Sequence, residues 1–203
     1  VLLLLDQMLA LRLRGVATAA LAVLAVATAR PAGAADDFAL RAGLATRLAF
    51  VHTGDGFVDG KTRAGLAALS RVVGERSTAR LDAPMAVDLE RDPVLFFPIV
   101  YWPLSAAQKP LSPAARDKLD DYMRNGGLLV LDTGAEAAVA TDSAALRGLT
   151  EGLSIPPLVP VSSEHVLTRS FYLLKELPGR WDGPAWVAEA GGDDRDGVSP
   201  VVV

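Results

Sequence analysis

The chain of 203 residues contains no cysteine. Disulfides, thiolate metal ligands and every mechanism that needs a cysteine nucleophile are thereby excluded. Histidine is nearly as scarce, present at His52 and His165 alone, so any imidazole chemistry rests on one of two positions. Neither a G-x-S-x-G nucleophile elbow nor a glycine-rich phosphate loop is present. A basic stripe is missing too. Net charge is −4, and removing the +2 of residues 1–35 (Asp6 against Arg12, Arg14 and Arg30) leaves −6 for residues 36–203. An acidic domain without clustered Lys and Arg cannot neutralise phosphates, so nucleic acid is not expected as a partner. No internal repeat is visible.

What is present is apolar: 51% of the residues are hydrophobic, enough for one domain with a sizeable core. Part of this excess lies in residues 16–29 (VATAALAVLAVATA), which carry no charge. Arg12 and Arg14 precede the run, and Ala32-Gly33-Ala34-Ala35-Asp36-Asp37 follows it. An export signal, with an apolar region of about 7–15 residues and a small-residue cleavage site, fits this pattern. A membrane segment of a longer parent fits as well, because Val1–Leu5 is also apolar, although a span usually needs about 20 apolar residues. Both readings expect a hydrophobic helix in residues 1–35 and residues 36–203 outside the cytoplasm, on the periplasmic side; the membrane-segment reading adds the membrane as a partner through residues 1–35. Arg30, beyond the run, opposes that orientation.

In the remainder, strands alternate with helices. Arg47–His52 reads as a first strand leading into the turn Thr53-Gly54-Asp55-Gly56. A helix follows over residues 61–76, with Asp59 as its candidate cap and Leu66, Leu69, Val72 and Val73 as its buried stripe. Met85–Leu89 reads as a minor edge strand. Val94–Trp102 (VLFFPIVYW) reads as a strand buried on both faces, with Pro98 forcing a bulge or an edge. Ser112 and Pro113 open a helix whose inner face is Ala115, Leu119, Tyr122 and Met123, closed by Gly126. Leu128–Leu131 is the next strand. Asp142 or Ser143 caps a short helix, Ile155–Val161 is extended loop, and a helix after Ser162 or Ser163 turns Val166, Leu167, Phe171 and Leu174 inward. Trp186–Ala190 and Val198–Val203 close as strands, the last of them stopping in mid-strand. Such alternation predicts an α/β fold with a doubly wound, mostly parallel sheet.

Ligands of such sheets bind at the carboxyl ends of the strands. That rule selects His52, Thr53 and Asp55 after the first strand and Asp132 and Thr133 after Leu128–Leu131, expected to neighbour one another across a crevice. The triplet Asp132-Thr133-Gly134 matches an aspartic-protease motif, but one copy in an α/β setting is not such an enzyme. His52 beside carboxylates is a candidate general base. His165 and Arg169, four apart on one helix, form a second candidate pair, with Arg169 suited to a carboxylate or phosphate. Arg180 and Trp181 lie in a Gly/Pro loop that also carries Trp186, suited to a lid or a partner surface. The acidic turn Asp193-Asp194-Arg195-Asp196 lacks the spacing of a known calcium loop.

The segments RLAFVHTGD, FFPIVYWP, YMRNGGLLVLDT, EHVLTRSFYLL, GRWDGPAWVAEA and DGVSPVVV, in this order, resemble an uncharacterised bacterial domain family. That family is found at the C-terminal end of aerotolerance-regulator (Bat-type) membrane proteins. The resemblance covers residues 37–203. It implies a flavodoxin-like fold of the class I glutamine amidotransferase-like kind, a role in aerotolerance or envelope stress, and neighbours among other Bat-type membrane proteins and a MoxR-type ATPase. Amidotransferase activity is not carried over, because those enzymes need the cysteine this chain lacks. The expectation is a non-catalytic ligand- or protein-binding domain of a membrane-anchored envelope protein, with no cofactor and no metal. The alternative is a hydrolase using His52, Asp55 and Asp132; its metal-dependent form would draw at least three ligands from these residues and Asp59.

Overall fold

The computed structural model describes residues 32–105, 108–133, 148–170, 173–175, 177, 183–189 and 199–203. The chain divides at Phe38 into two units, Val1–Phe38 and Ala39–Val203. Of the first unit the description covers the opening turns of helix α1 (Ala32–Gly43), so the hydrophobic helix expected in residues 1–35 falls outside the described residues as far as Pro31. Among the described residues no helix is long and apolar enough to cross a membrane.

In the second unit the elements run β1 (Arg47–Val51), α2 (Gly56–Arg76), β2 (Asp82–Val87), β3 (Ile99–Pro103), α3 (Pro113–Arg124), β4 (Leu128–Asp132), β5 (Leu158–Pro160), α4 (Val166–Arg169), β6 (Trp186–Ala188) and β7 (Val201–Val202). The strands form one sheet in the order β2-β1-β3-β4-β7-β6-β5. The first five in that order pair in parallel, while β6 runs antiparallel to both of its neighbours, β7 and β5. Five parallel strands in the spatial order second, first, third, fourth, fifth is the flavodoxin-like arrangement. The sequence of alternating elements therefore folds as its pattern predicts. The C-terminal strand β7 is interior, between β4 and β6, rather than at an edge.

Burial follows strand position. Leu48, Ala49, Phe50 and Val51 are all buried, as both faces of a central strand must be. On β3 and β4, alternate residues Val100, Trp102, Leu129 and Leu131 are buried and lie in register, while Ile99, Tyr101, Val130 and Asp132 on the opposite face are half-buried. Arg63 of α2 lies over the ring of Phe50 at 5.3 Å, so α2 covers the face that carries Phe50 and, in register with it, Tyr101.

Proline decides both sheet edges. On β2 the pairs Arg47↔Asp82 and Ala49↔Met85 leave one extra residue in the stretch containing Pro84. The bulge absorbs a residue that cannot donate to a ladder. Arg47 seals it, donating to Ala83 O at 2.9 Å and to the Asp82 carboxylate at 2.6 Å. At the other edge Pro160 sits in β5, where a missing N–H discourages further strand addition.

Four expected elements are corrected. Val94–Trp102 is not one strand: Phe97 N donates to Val94 O in a turn, and the strand begins at Ile99, just past Pro98. The stretch at Ile155–Val161 is extended but includes the paired strand β5, because Val159 pairs with Val187 and Val161 N donates to Ala185 O. On α2, Leu69 and Val72 are exposed; the buried residues are Asp59 and Ser70. The short helix α4 likewise leaves Val166 and Leu167 exposed. Phe171 and the expected helix after Asp142 or Ser143, as far as residue 147, lie outside the described residues.

Candidate functional site

Between β1 and β3 the connections leave the sheet in opposite directions, β1 through α2 to β2 and β3 through α3 to β4. This is the switch point at which such folds open a crevice. The loop after β1 is built by two carboxylates. Asp55 accepts from Phe57 N at 2.9 Å and Val58 N at 3.2 Å, and is the N-cap of α2. The helix thus starts at Gly56, five residues earlier than the residue pattern indicates, with Asp55 and not Asp59 as its cap. The reason is spacing: the carboxylate of Asp55 stands just ahead of the open N–H groups, whereas Asp59, a turn further on, faces inward.

Asp59 is buried, at 8% exposure. One of its oxygens, Oδ1, accepts from both the backbone N–H and the hydroxyl of Thr53, each at 2.9 Å. The Thr53 hydroxyl in turn accepts from Asp55 N at 3.1 Å. The other oxygen, Oδ2, lies 3.2 Å from His52 Nε2, but without the alignment of a hydrogen bond, so it has no aligned donor. Gly54 allows the turn, with φ of +84°. His52 itself is held by the sheet, its N–H donating to Val87 O at 2.9 Å, while its ring is exposed.

A second polar group ends β3 and β4. Tyr101 donates its hydroxyl to the carboxylate of Asp132. Leu104 N donates to Asp132 O at 2.9 Å, which ties the loop after β3 to the end of β4. Thr133 follows, half-buried. Further along that loop Ser105 and Gln108 bond each other, Ser105 N to Gln108 Oε1 and Gln108 N to Ser105 O, both at 3.0 Å.

The residues expected to converge therefore share a rim without touching as neighbours. Strand β3 lies between β1 and β4. Asp132 pairs with Pro103, and the β1–β3 register, continued by two residues, sets His52 level with the same proline. Two strand spacings put the backbones of His52 and Asp132 roughly 10 Å apart, with the buried Pro103 between them. Among the described residues no three of His, Asp and Glu assemble as a metal-ligand set.

The other candidates serve their own segments. His165 is the N-cap of α4, accepting from Leu167 N at 3.2 Å through Nδ1. Arg169 pairs with Glu164 and donates to Ser163 O at 3.0 Å. Arg180, Trp181 and the acidic turn at residues 193–196 lie outside the described residues. Sequence reading missed Tyr101 as the partner of Asp132. Alternation along VYWP and VLD places 101 and 103 on the face of 130 and 132, but the strand pairing had to be known first.

Residues 47–203 match the family described as Domain of unknown function (DUF4159), and the chain belongs to that family. No curated protein matches the chain.

Proposed function

We propose that this member of the DUF4159 family is a non-catalytic binding domain of a membrane-anchored envelope protein, displayed on the periplasmic side. The observation that carries the reading is how the rim carboxylates are used. Asp55 caps α2, Asp59 holds Thr53, and Asp132 receives Tyr101. A hydrolytic centre needs a carboxylate or imidazole facing a shared substrate position, and here the two clusters are separated by Pro103. The exposed ring of His52 over Asp59 remains the point at which a small ligand would meet the switch-point loop.

The address outside the cytoplasm is supported by the arginines before residues 16–29 and the acids after them. An amidotransferase-like variant of the fold, emptied of its chemistry, agrees with the absence of cysteine. Work beside Bat-type membrane proteins in aerotolerance or envelope stress follows from the sequence resemblance.

The test is made on the full chain in two arms. Ester, phosphoester and peptide substrates are offered with Mg2+, Mn2+ or Zn2+, and thermal shifts are recorded with the same metals and a metabolite panel. The expected result is no turnover, and any ligand shift is lost in His52→Ala or Asp132→Ala. Turnover that disappears in Asp59→Asn would replace this reading with the hydrolase. Address is tested separately, by protease protection of the domain in intact spheroplasts.

A further inference from the structure

The longest helix among the described elements faces the wrong way for a simple surface helix. Over 21 residues (Gly56–Arg76, about 31 Å) α2 buries Asp59 and Ser70, with Leu66 and Val73 half-buried beside them. At helical spacing, Phe57, Lys61, Ala64, Ala68, Val72 and Glu75 line the opposite side. Phe57 is 80% exposed and Val72 39%, with Leu69 at 49% on the flank. Solvent-facing stripes are normally charged and polar, yet along this line the charges are Lys61 and Glu75, one near each end. Cβ atoms added at Gly60 and Gly65 would meet nothing within 4 Å, so the ground beside the stripe is open.

We infer that this face is a self-association surface, on which α2 of a second copy packs antiparallel. Charge placement selects that occupant. Ala68 stands seven residues from Lys61 and seven from Glu75. A two-fold axis at Ala68 therefore sets Lys61 of each copy against Glu75 of the other, and does so twice, as an isologous contact must. The same axis sets Ala64 opposite Val72, small against large, and leaves a small side chain at the crossing where the backbones come closest. Antiparallel helices also oppose their dipoles. Parallel packing would stack lysine on lysine, and a lipid surface would draw nothing from the symmetry. Within its own chain Glu75 has Arg71 at 4.0 Å, both side chains well exposed, which leaves the carboxylate accessible to a partner's Lys61. This inference stands apart from the reading of the rim, since α2 turns its other side to the sheet.

Sedimentation equilibrium of the full chain, over roughly a hundredfold concentration range, is the experiment. A concentration-dependent dimer is expected. Lys61→Glu and Glu75→Lys each weaken it by about tenfold, since two symmetric pairs of under 1 kcal/mol turn repulsive, and Ala68→Arg abolishes it. The double reversal Lys61→Glu/Glu75→Lys restores affinity to within about threefold of the parent, because the pairs are re-formed with exchanged signs. All these side chains are exposed, and circular dichroism checks that each variant is folded. A monomer throughout, association that survives Ala68→Arg, or a double reversal no better than the single changes overturns the inference.

Discussion

The ring of Tyr122 occupies the space where a side chain on residue 127 would stand. A Cβ built on Gly127 falls well inside contact distance of three ring atoms. Tyr122 is buried on α3, its hydroxyl donates to Leu128 O at 3.1 Å, and Gly127 N donates to Tyr122 O at 2.9 Å. The helix end, the glycine pair and the start of β4 are therefore one packed unit. Gly126 supplies the turn with φ of +85°, and Gly127 supplies the room.

Gly127→Ala is expected to cost about 2–3 kcal/mol by overpacking, a fall in Tm of roughly 5–10 °C for a chain of this size. Gly126→Ala, which meets no neighbour, costs about 1–2 kcal/mol through its left-handed backbone. Thermal denaturation reads both. In a Tyr122→Leu background the Gly127→Ala penalty shrinks while that of Gly126→Ala does not; equal penalties in both backgrounds would break the proposed coupling.

Tyr122 also sets an alkaline limit. Burial pushes its phenol well above the ordinary tyrosine range, offset in part by hydrogen bonds to the backbone at Leu128 and Val100. In the unfolded chain the phenol ionises near pH 10. The native state thus holds its proton more tightly, so this contribution is intact below pH 10 and declines above it, by about 1.4 kcal/mol per pH unit. Urea midpoints between pH 8 and 11 should show the decline, and Tyr122→Phe should flatten it.

Ser112 and Glu90 act at the acid end. Glu90 accepts from Ser112 Oγ at 2.6 Å and from Ser112 N at 2.9 Å, while Ser112 Oγ accepts from Ala115 N at 3.2 Å as the cap of α3. The two Ser112 bonds, side chain first, hold the Glu90 carboxyl below its ordinary value. Its contribution is present above the unfolded value and is lost as pH falls below about 4.3. Ser112→Ala should cost about 1 kcal/mol at neutral pH. Glu90→Gln should remove part of the acid dependence of the Tm below pH 5 and leave the alkaline limb unchanged.

Asp59 is expected to be structural before it is anything else. Asp59→Ala strips the buried Thr53 N–H and hydroxyl of their acceptor, which should cost about 1–3 kcal/mol. Thr53→Val removes one of the two bonds and should cost less. Asp59→Asn keeps an acceptor oxygen and should lie between the parent and alanine. A Tm for Asp59→Ala equal to the parent's would show that the loop is not held by this carboxylate.

Much of the fold was legible because the relevant signals are local. The cap at Ser112 with Pro113, the inward set Ala115, Leu119, Tyr122 and Met123, and the apolar strand after Gly126-Gly127 depend on neighbours within a few residues, and all appear as the pattern indicates. Pro98 marked trouble within Val94–Trp102, though not that the strand starts past it. Of the expected stripe, Leu66 and Val73 lie on the inner side, half-buried, whereas Leu69 and Val72 turn outward. Its spacing is helical, but an apolar outer face and an apolar inner face look alike in one dimension.

By itself the amino-acid order determined the alternation of strands and helices, the missing thiol chemistry and the acidic character, since composition and short-range hydrogen bonding suffice for these. Strand order was beyond it: that β3 and Pro103 stand between His52 and Asp132 follows from pairings between residues far apart in the chain. Which carboxylate turns outward to cap α2 and which turns inward to hold Thr53, and which side of α2 meets the sheet, were likewise decided on assembly. Burial and a donor's reach are properties of three-dimensional neighbours.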